Sequence, residues 1–424
     1  MKCNALSGIS IVASVASVAS VASVASVASV ASVVALCVLH ARAVAGDTEP
    51  GTARDTTAAA LIGPPVPPDA AAIDAAVQKG IAFLLSAQEG TPKAQWPYEG
   101  VYRVGGEIPV GYRIGGTGIV GECLVRTPGY ASDIARQEAV RSACAFICAG
   151  IREPLMNPVY EAGYDVRGWG YCYGARFLLV LRAAKAVPAG METETDAALR
   201  WYLDAIQRTE IPEVGGWNYA RQPGIETPSP ASPFMTPPCL QVLFEAKAQG
   251  LPVDGAVVTR ALDALQRCRT EDGNFAYSAQ RQTREPARSI PGAIGRMVCG
   301  ESVLLRAGRS DVASVRRAVD AFLDNWRQLE IRRKKSGTHV GAYGVAPYYF
   351  FFGFYNACDA VELLPAAERP EYRRQFEQLL FAVRDQDGTW DDRVFPRTRN
   401  FGTAMTLMAL QRPQFPAPAQ WSSK

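Results

Sequence analysis

One large hydrophobic residue returns at a helical position about every sixty residues along this chain, six times. The positions are Phe83, Phe146, Tyr202, Leu262, Phe322 and Leu380, in steps of 63, 56, 60, 60 and 58 residues. That period is too long for a heptad or a short solenoid unit and fits two helices with their connections. Six such pairs point to a closed ring, because an open stack would leave two apolar ends in need of caps. The expected fold is therefore all-α, an (α/α)6 toroid of six helix pairs.

The first helix of each pair is expected over 73–88, 132–150, 194–209, 254–269, 311–329 and 370–385, where apolar residues recur at three-to-four spacing. Charge on the far side, as in Arg316, Arg317, Asp320, Asp324 and Arg327, marks an outer helix with one solvated face. Ser132, Asp254 and Asp311 are expected N-caps. The second helix, over 116–125, 176–186, 239–247, 294–307, 355–364 and 402–410, is apolar around most of its circumference. Such helices are covered on most sides and form the inner ring.

Ahead of the repeats, Lys2 and a long apolar run with seven Val-Ala-Ser copies end in Ala43-Val44-Ala45. This reads as a secretory signal over 1–45, cleaved before Gly46, with an uncleaved membrane anchor as the alternative. Residues 46–72, including Pro64-Pro65-Val66-Pro67-Pro68, are expected to form an extended linker. The ring domain follows over 73–412, then a C-terminal tail over 413–424. The expected location is secreted or periplasmic, and the expected state is a monomer. A formal charge of +3 over 424 residues gives no reason to expect a nucleic-acid partner.

Between outer and inner helices lie short glycine–aromatic segments, such as Gly168-Trp169-Gly170-Tyr171 and Gly216-Trp217-Asn218-Tyr219. Lys79-Gly80-x-x-Phe83-Leu84-x-x-x-Gln88 followed by Trp96 resembles the QW motif of squalene and oxidosqualene cyclases. Tyr202-Leu203-x-x-x-Gln207 with Gly216-Trp217 repeats it, and Gln386-Asp387-Gly388-Thr389-Trp390 resembles its second half. Arg327 stands where the fifth repeat would carry Gln, and Phe275 replaces Trp in the fourth. The resemblance covers about residues 73–412 and implies the toroid shared by terpene cyclases and protein prenyltransferase β subunits. It implies a structural role for Gln88, Trp96, Trp169, Gln207, Trp217, Phe275 and Trp390, bracing neighbouring helices.

The chemistry of those families is not carried over. The cyclase acid motif D-x-D-D is missing, and Asp391-Asp392 after Trp390 reads as a solvated polar pair. Aligned on Cys358 with the oxidosqualene D-C-T-A-E motif, the acid position holds Ala357, leaving Asp359 as a candidate if a one-turn shift places it in the cavity. Cys299-Gly300-Glu301 and Cys358-Asp359 lack the Asp-x-Cys order and the His of the prenyltransferase zinc site. No metal and no cofactor is expected. Eight cysteines follow residue 45, and sequence cannot pair them.

Glu122, Glu245, Glu301, Asp359 and Glu362 lie on nearly apolar inner helices, where a carboxylate needs a partner such as Arg176 or Arg296, or a wet cavity. The fifth repeat departs most from the pattern and carries His339 with a run of aromatic residues. A central cavity is therefore expected, lined by Tyr343, Tyr348 and Tyr349, with Glu301, His339 and Asp359 as its polar, candidate catalytic groups. The expected ligand is a small apolar molecule of the polyprenyl kind. The alternative is an extracytoplasmic carboxylate enzyme, a hydrolase or lyase acting on polysaccharide, which needs two facing carboxylates or a base with an arginine.

Overall fold

The computed structural model describes residues 66–159, 166–219, 224–277, 290–337, 340–341, 343–346 and 349–422. The expected signal, residues 1–45, and most of the expected linker lie outside them. Twelve α-helices and no named strand occur among the described residues. The outer set is α1 (Ala70–Ser86), α3 (Ile134–Gly150), α5 (Glu192–Arg208), α7 (Gly255–Cys268), α9 (Val312–Glu330) and α11 (Arg369–Ala382). The inner set is α2 (Val110–Arg126), α4 (Arg167–Ala183), α6 (Thr236–Ala248), α8 (Ile290–Arg306), α10 (Tyr349–Val361) and α12 (Thr398–Leu410).

Each inner helix packs against the next, and α12 packs back onto α2, so the fold is a closed (α/α)6 toroid. Inner helices are buried nearly all round: in α12 every described residue except Arg399 is buried. Four outer helices begin on an aspartate whose carboxylate accepts a backbone N–H of the first turn: Asp69, Asp133, Asp254 and Asp311. Asp133, and not Ser132, caps α3, because Ser132 closes the short 3₁₀ turn before it. The inner helices start three to nine residues ahead of the apolar pattern, as at Val110 and Arg167, where glycine and aromatic residues read as loop. Trp169 accordingly belongs to the first turn of α4, not to a connecting segment.

The tryptophans join the two layers in one repeated way. Nε1 of Trp96, Trp217 and Trp390 donates to the carbonyls of Leu84, Ile206 and Leu380, at 2.6, 2.8 and 2.7 Å, in the last turns of α1, α5 and α11. Their backbone N–H groups donate to Thr117, Thr236 and Thr403 on the following inner helices, at 3.0, 3.1 and 3.1 Å. In two repeats the residue before that threonine is glycine. A Cβ at Gly116 or Gly402 would lie 2.4 Å from the Trp96 or Trp390 carbonyl oxygen. The fourth repeat uses Phe275, whose buried ring lies against Gly300 and whose carbonyl accepts from Arg296 Nε at 2.6 Å. Gln88 Nε2 reaches the Ala139 carbonyl on α3 at 3.1 Å, and Gln207 Oε1 accepts from Asp254 N at 2.7 Å. Each glutamine thus ties one outer helix to the next.

Candidate functional site

The inner helices run parallel, so their C-terminal ends, at Arg126, Ala183, Ala248, Arg306, Val361 and Leu410, gather at one mouth of the ring. Unpaired carbonyls there carry partial negative charge, which basic side chains answer. The chain then turns back after α12, and residues 412–422 cross this mouth as a strap. Arg412 Nη1 donates to the Pro416 carbonyl at 3.1 Å, and Arg306 Nε to the Ala419 carbonyl at 2.7 Å. Trp421 N donates to the Arg306 carbonyl at 2.9 Å, and its ring stacks on Phe244 at 5.5 Å. Beneath the strap lies a cavity of about 370 Å³.

Its polar lining includes two hydrogen-bonded groups, one around Arg176 and one around Asp359. Arg176 Nε pairs with Glu122 at 2.7 Å, Nη1 donates to Gln241 at 3.3 Å, and Nη2 donates to the Tyr355 hydroxyl. Arg126 holds the second oxygen of Glu122 at 2.8 Å. Asp359 accepts from Arg412 Nε at 2.7 Å. Burial works against both carboxylates, yet Arg176 and Arg126 hold Glu122, and Arg412 and Arg306 hold Asp359, below their ordinary ranges. Both stay ionised at neutral pH. Burial pushes the Tyr355 hydroxyl up to about 12 against the pull of Arg176, so it remains a protonated donor.

Of the expected catalytic and aromatic candidates among the described residues, Asp359 lines this cavity, and so does Glu245, one of the acidic residues noted on the inner helices. Glu301 is turned outward between α7 and α9, paired with Arg269 at 2.8 Å and accepting from Ser310 at 2.6 Å. Burial raises its pKa despite those two partners. Tyr343 lies half-buried on the other side of the ring, its carbonyl beside Gly292 near the start of α8. His339 and Tyr348 lie outside the described residues, and Tyr349 is described only as the first residue of α10. The structure thus does not bring Glu301, Tyr343 and Asp359 together. Arg176, Arg306, Arg412 and Tyr355 were not singled out as site residues. Their signal was a basic or polar side chain inside, or directly after, an otherwise apolar inner helix.

Asp391 and Asp392 are buried, not solvated, because the segment after Trp390 turns under the end of α9, where Arg333 and Lys334 donate to their carbonyls. Asp391 Oδ1 accepts from Thr398 at 2.7 Å, whereas neither carboxyl oxygen of Asp392 has a hydrogen-bond partner. Burial first, then the adjacent Asp391, drive the Asp392 pKa well above the usual carboxylate range. The eight described cysteines are free and buried. Among the described residues, no three His, Cys, Asp or Glu side chains converge as a metal set.

The sequence matches no protein-family model and no curated protein. Solved structures similar to it include the unsaturated glucuronyl hydrolase of Streptococcus agalactiae, at 11% identity and TM-score 0.53, over 81% of this chain and 93% of that one. The unsaturated glucuronyl hydrolase of Bacillus sp. GL1 gives 12% and 0.53, over 83% and 99%. A family 76 glycoside hydrolase, a mannosidase of Bacteroides thetaiotaomicron, gives 9% and 0.50, over 81% and 100%. At such identities the shared property is the α/α toroid itself.

Proposed function

We propose that the protein is an exported α/α toroid that binds a saccharide in the cavity at the C-terminal mouth of its inner ring. The carrying observation is the lining of that cavity: Arg176, Gln241, Tyr355, Asp359 and Arg412 present donors and acceptors fixed by one another. Polyhydroxy ligands need such convergent, pre-oriented polar groups in a concave site. An apolar ligand would displace water from them and return no hydrogen bond to their remaining donors and acceptors. The fold neighbours that act on glucuronyl and mannosyl substrates give this reading its direction, and the cavity gives it its residues.

The state of Glu122 and Asp359 speaks for binding over glycoside hydrolysis, and the third carboxylate at the cavity, Glu245, is turned to the strap, where it accepts from Ala419 N. A hydrolase of the two-carboxylate kind keeps one acid protonated to load the leaving oxygen. Here Glu122 and Asp359 are both held ionised by arginine. The Trp–Gln bracing of the repeats supports kinship with the cyclase and prenyltransferase toroids. With neither the D-x-D-D acid nor the zinc triad, cyclisation of squalene and prenyl transfer to cysteine are not expected.

Calorimetric titration of the chain from Gly46 with a panel of neutral and acidic mono- and disaccharides tests the proposal. Saturable binding lost in Tyr355→Phe with Arg176→Met is the expected result, and no binding of any sugar would overturn it. Export is tested apart, by N-terminal sequencing of the protein from its own host: a start at Gly46 is expected, and retained Val-Ala-Ser residues would favour the anchored alternative.

A further inference from the structure

The strap lies over the cavity without joining the core. Gln414, Phe415, Pro416, Ala417 and Pro418 form one wall of that cavity. Of residues 413–422 only Pro418 is buried, and Gln414, Pro416, Ala417 and Gln420 are exposed. A terminal segment with so little buried surface belongs to the low end of local stability.

The strap is held in two different ways along its length. Its first part is fixed to the ring: Arg412, paired with Asp359, donates to the Pro416 carbonyl, and the Phe415 ring faces the Arg126 and Arg412 guanidinium groups at 5.3 and 6.0 Å. Its last part is clipped at two residues. The Ala419 peptide groups lie between opposite charges from α6 and α8, the N–H donating to Glu245 Oε1 at 3.2 Å and the carbonyl accepting from Arg306 Nε at 2.7 Å. Two residues on, Trp421 N donates to the Arg306 carbonyl and its ring stacks on Phe244.

The two charges of the clip have a second arrangement within reach. Arg306 Nη2 and Glu245 Oε1 already form an ion pair at 3.7 Å. When Ala419 leaves, Arg306 Nε loses its acceptor and Glu245 loses its donor, and the two side chains can close on each other. A buried guanidinium stripped of its acceptor would oppose opening. The waiting carboxylate offsets that cost, and the Phe244 ring, 5.4 Å from the guanidinium, stays beneath it.

We infer that residues 417–422 are a gate on the cavity, turning about Pro416 and latched by Ala419 between Glu245 and Arg306 and by Trp421 on Phe244. The gate governs entry for any ligand of the cavity, so the inference stands apart from the saccharide reading.

A thiol in the cavity wall tests it. Val180 lines the cavity and is 5% exposed, and the eight described native cysteines are buried. The chain from Gly46 carrying Val180→Cys is treated with fluorescein maleimide, and labelling is followed by intact mass against the chain without the substitution. Adding Trp421→Ala is expected to quicken labelling about tenfold or more, because opening of the strap becomes that much more frequent. Trp421→Phe, which keeps a ring on Phe244, returns most of the slow rate. N-ethylmaleimide, a smaller reagent, shows a smaller gain. Equal rates of fluorescein labelling with and without Trp421→Ala overturn the inference. A gain matched by labelling of the native cysteines overturns it as well, since the ring itself would then be opening. Where Trp421→Ala does not fold, Ala419→Pro removes the N–H held by Glu245 and is read in the same way.

Discussion

Asp392 occupies, two residues after Trp390, the position that Tyr98 occupies two residues after Trp96. Tyr219 and Tyr277 hold the same place after Trp217 and Phe275. Tyr98 fills its site with a ring packed on Tyr112, Trp169 and Phe401, at centroid distances of 5.2, 5.3 and 5.2 Å. Asp392 is equally covered, with a carboxyl in place of the phenol ring.

Burial and the adjacent Asp391 favour the protonated form of that carboxyl in the folded protein relative to the unfolded chain, so folding is coupled to proton uptake. With the folded pKa raised, stability falls as pH rises from about the ordinary aspartate value of 3.8 toward the folded value. Asp392→Asn keeps the shape and removes the titration. It is expected to raise the unfolding free energy at pH 7 by about 1–3 kcal/mol. Equilibrium denaturation at pH 5, 7 and 8.5 checks this, and a variant with the wild-type pH slope would refute it.

Trp217→Ala removes a buried indole that joins α5 to α6 through Ile206 and Thr236. The expected loss is about 3 kcal/mol or more from cavity formation. Trp217→Phe keeps most of the burial and gives up the Nε1–H donor, for about 1 kcal/mol. Sugar binding should survive in whichever variant folds, since Trp217 lies away from the cavity lining.

Acid should open the cavity network first. In the folded protein the neighbouring arginines hold Asp359 and Glu122 below the ordinary values of 3.8 and 4.5. The stability they contribute is present above the unfolded values and is lost as pH falls through the lower, folded ones. Asp359→Asn should flatten this acid limb while lowering stability at pH 7 by about 3 kcal/mol, because Arg412 is left buried without its counter-ion. Urea midpoints between pH 2.5 and 7 give both quantities.

Trp421→Ala should free the strap and leave the ring intact. Amide hydrogen exchange of Ala419 and Trp421 is expected to quicken by about tenfold, with exchange in α8 unchanged. An equal gain throughout α8 would mean that the strap is part of the core.

The ring was legible because a large apolar residue returns six times at a nearly constant period, buried in four repeats and half-buried at Phe83 and Phe146, and no local exception can hide sixty-residue spacing. Helix starts were less legible. Glycines at 115, 116, 118, 168 and 170 are helical here because close inner packing has no room for a side chain, and their intrinsic preference points the other way. The site was hardest. Arg306 ends α8 and Arg412 follows α12, and what distinguishes them is the strap folding back over them, a contact with no periodic trace. Glu301 looked equivalent to Asp359 by residue type and helix, yet it faces outward, a difference of helical phase that an irregular apolar pattern leaves open.

Closure of α12 onto α2 also means that the domain has no privileged first repeat. The contacts that matter are between neighbours around a circle, and the order in which the polypeptide visits them is a matter of bookkeeping in the gene. A circularly permuted chain, opened in the exposed turn at Lys247–Gly250 and joined by a linker between its present ends, should keep each inner contact and refold to the same ring.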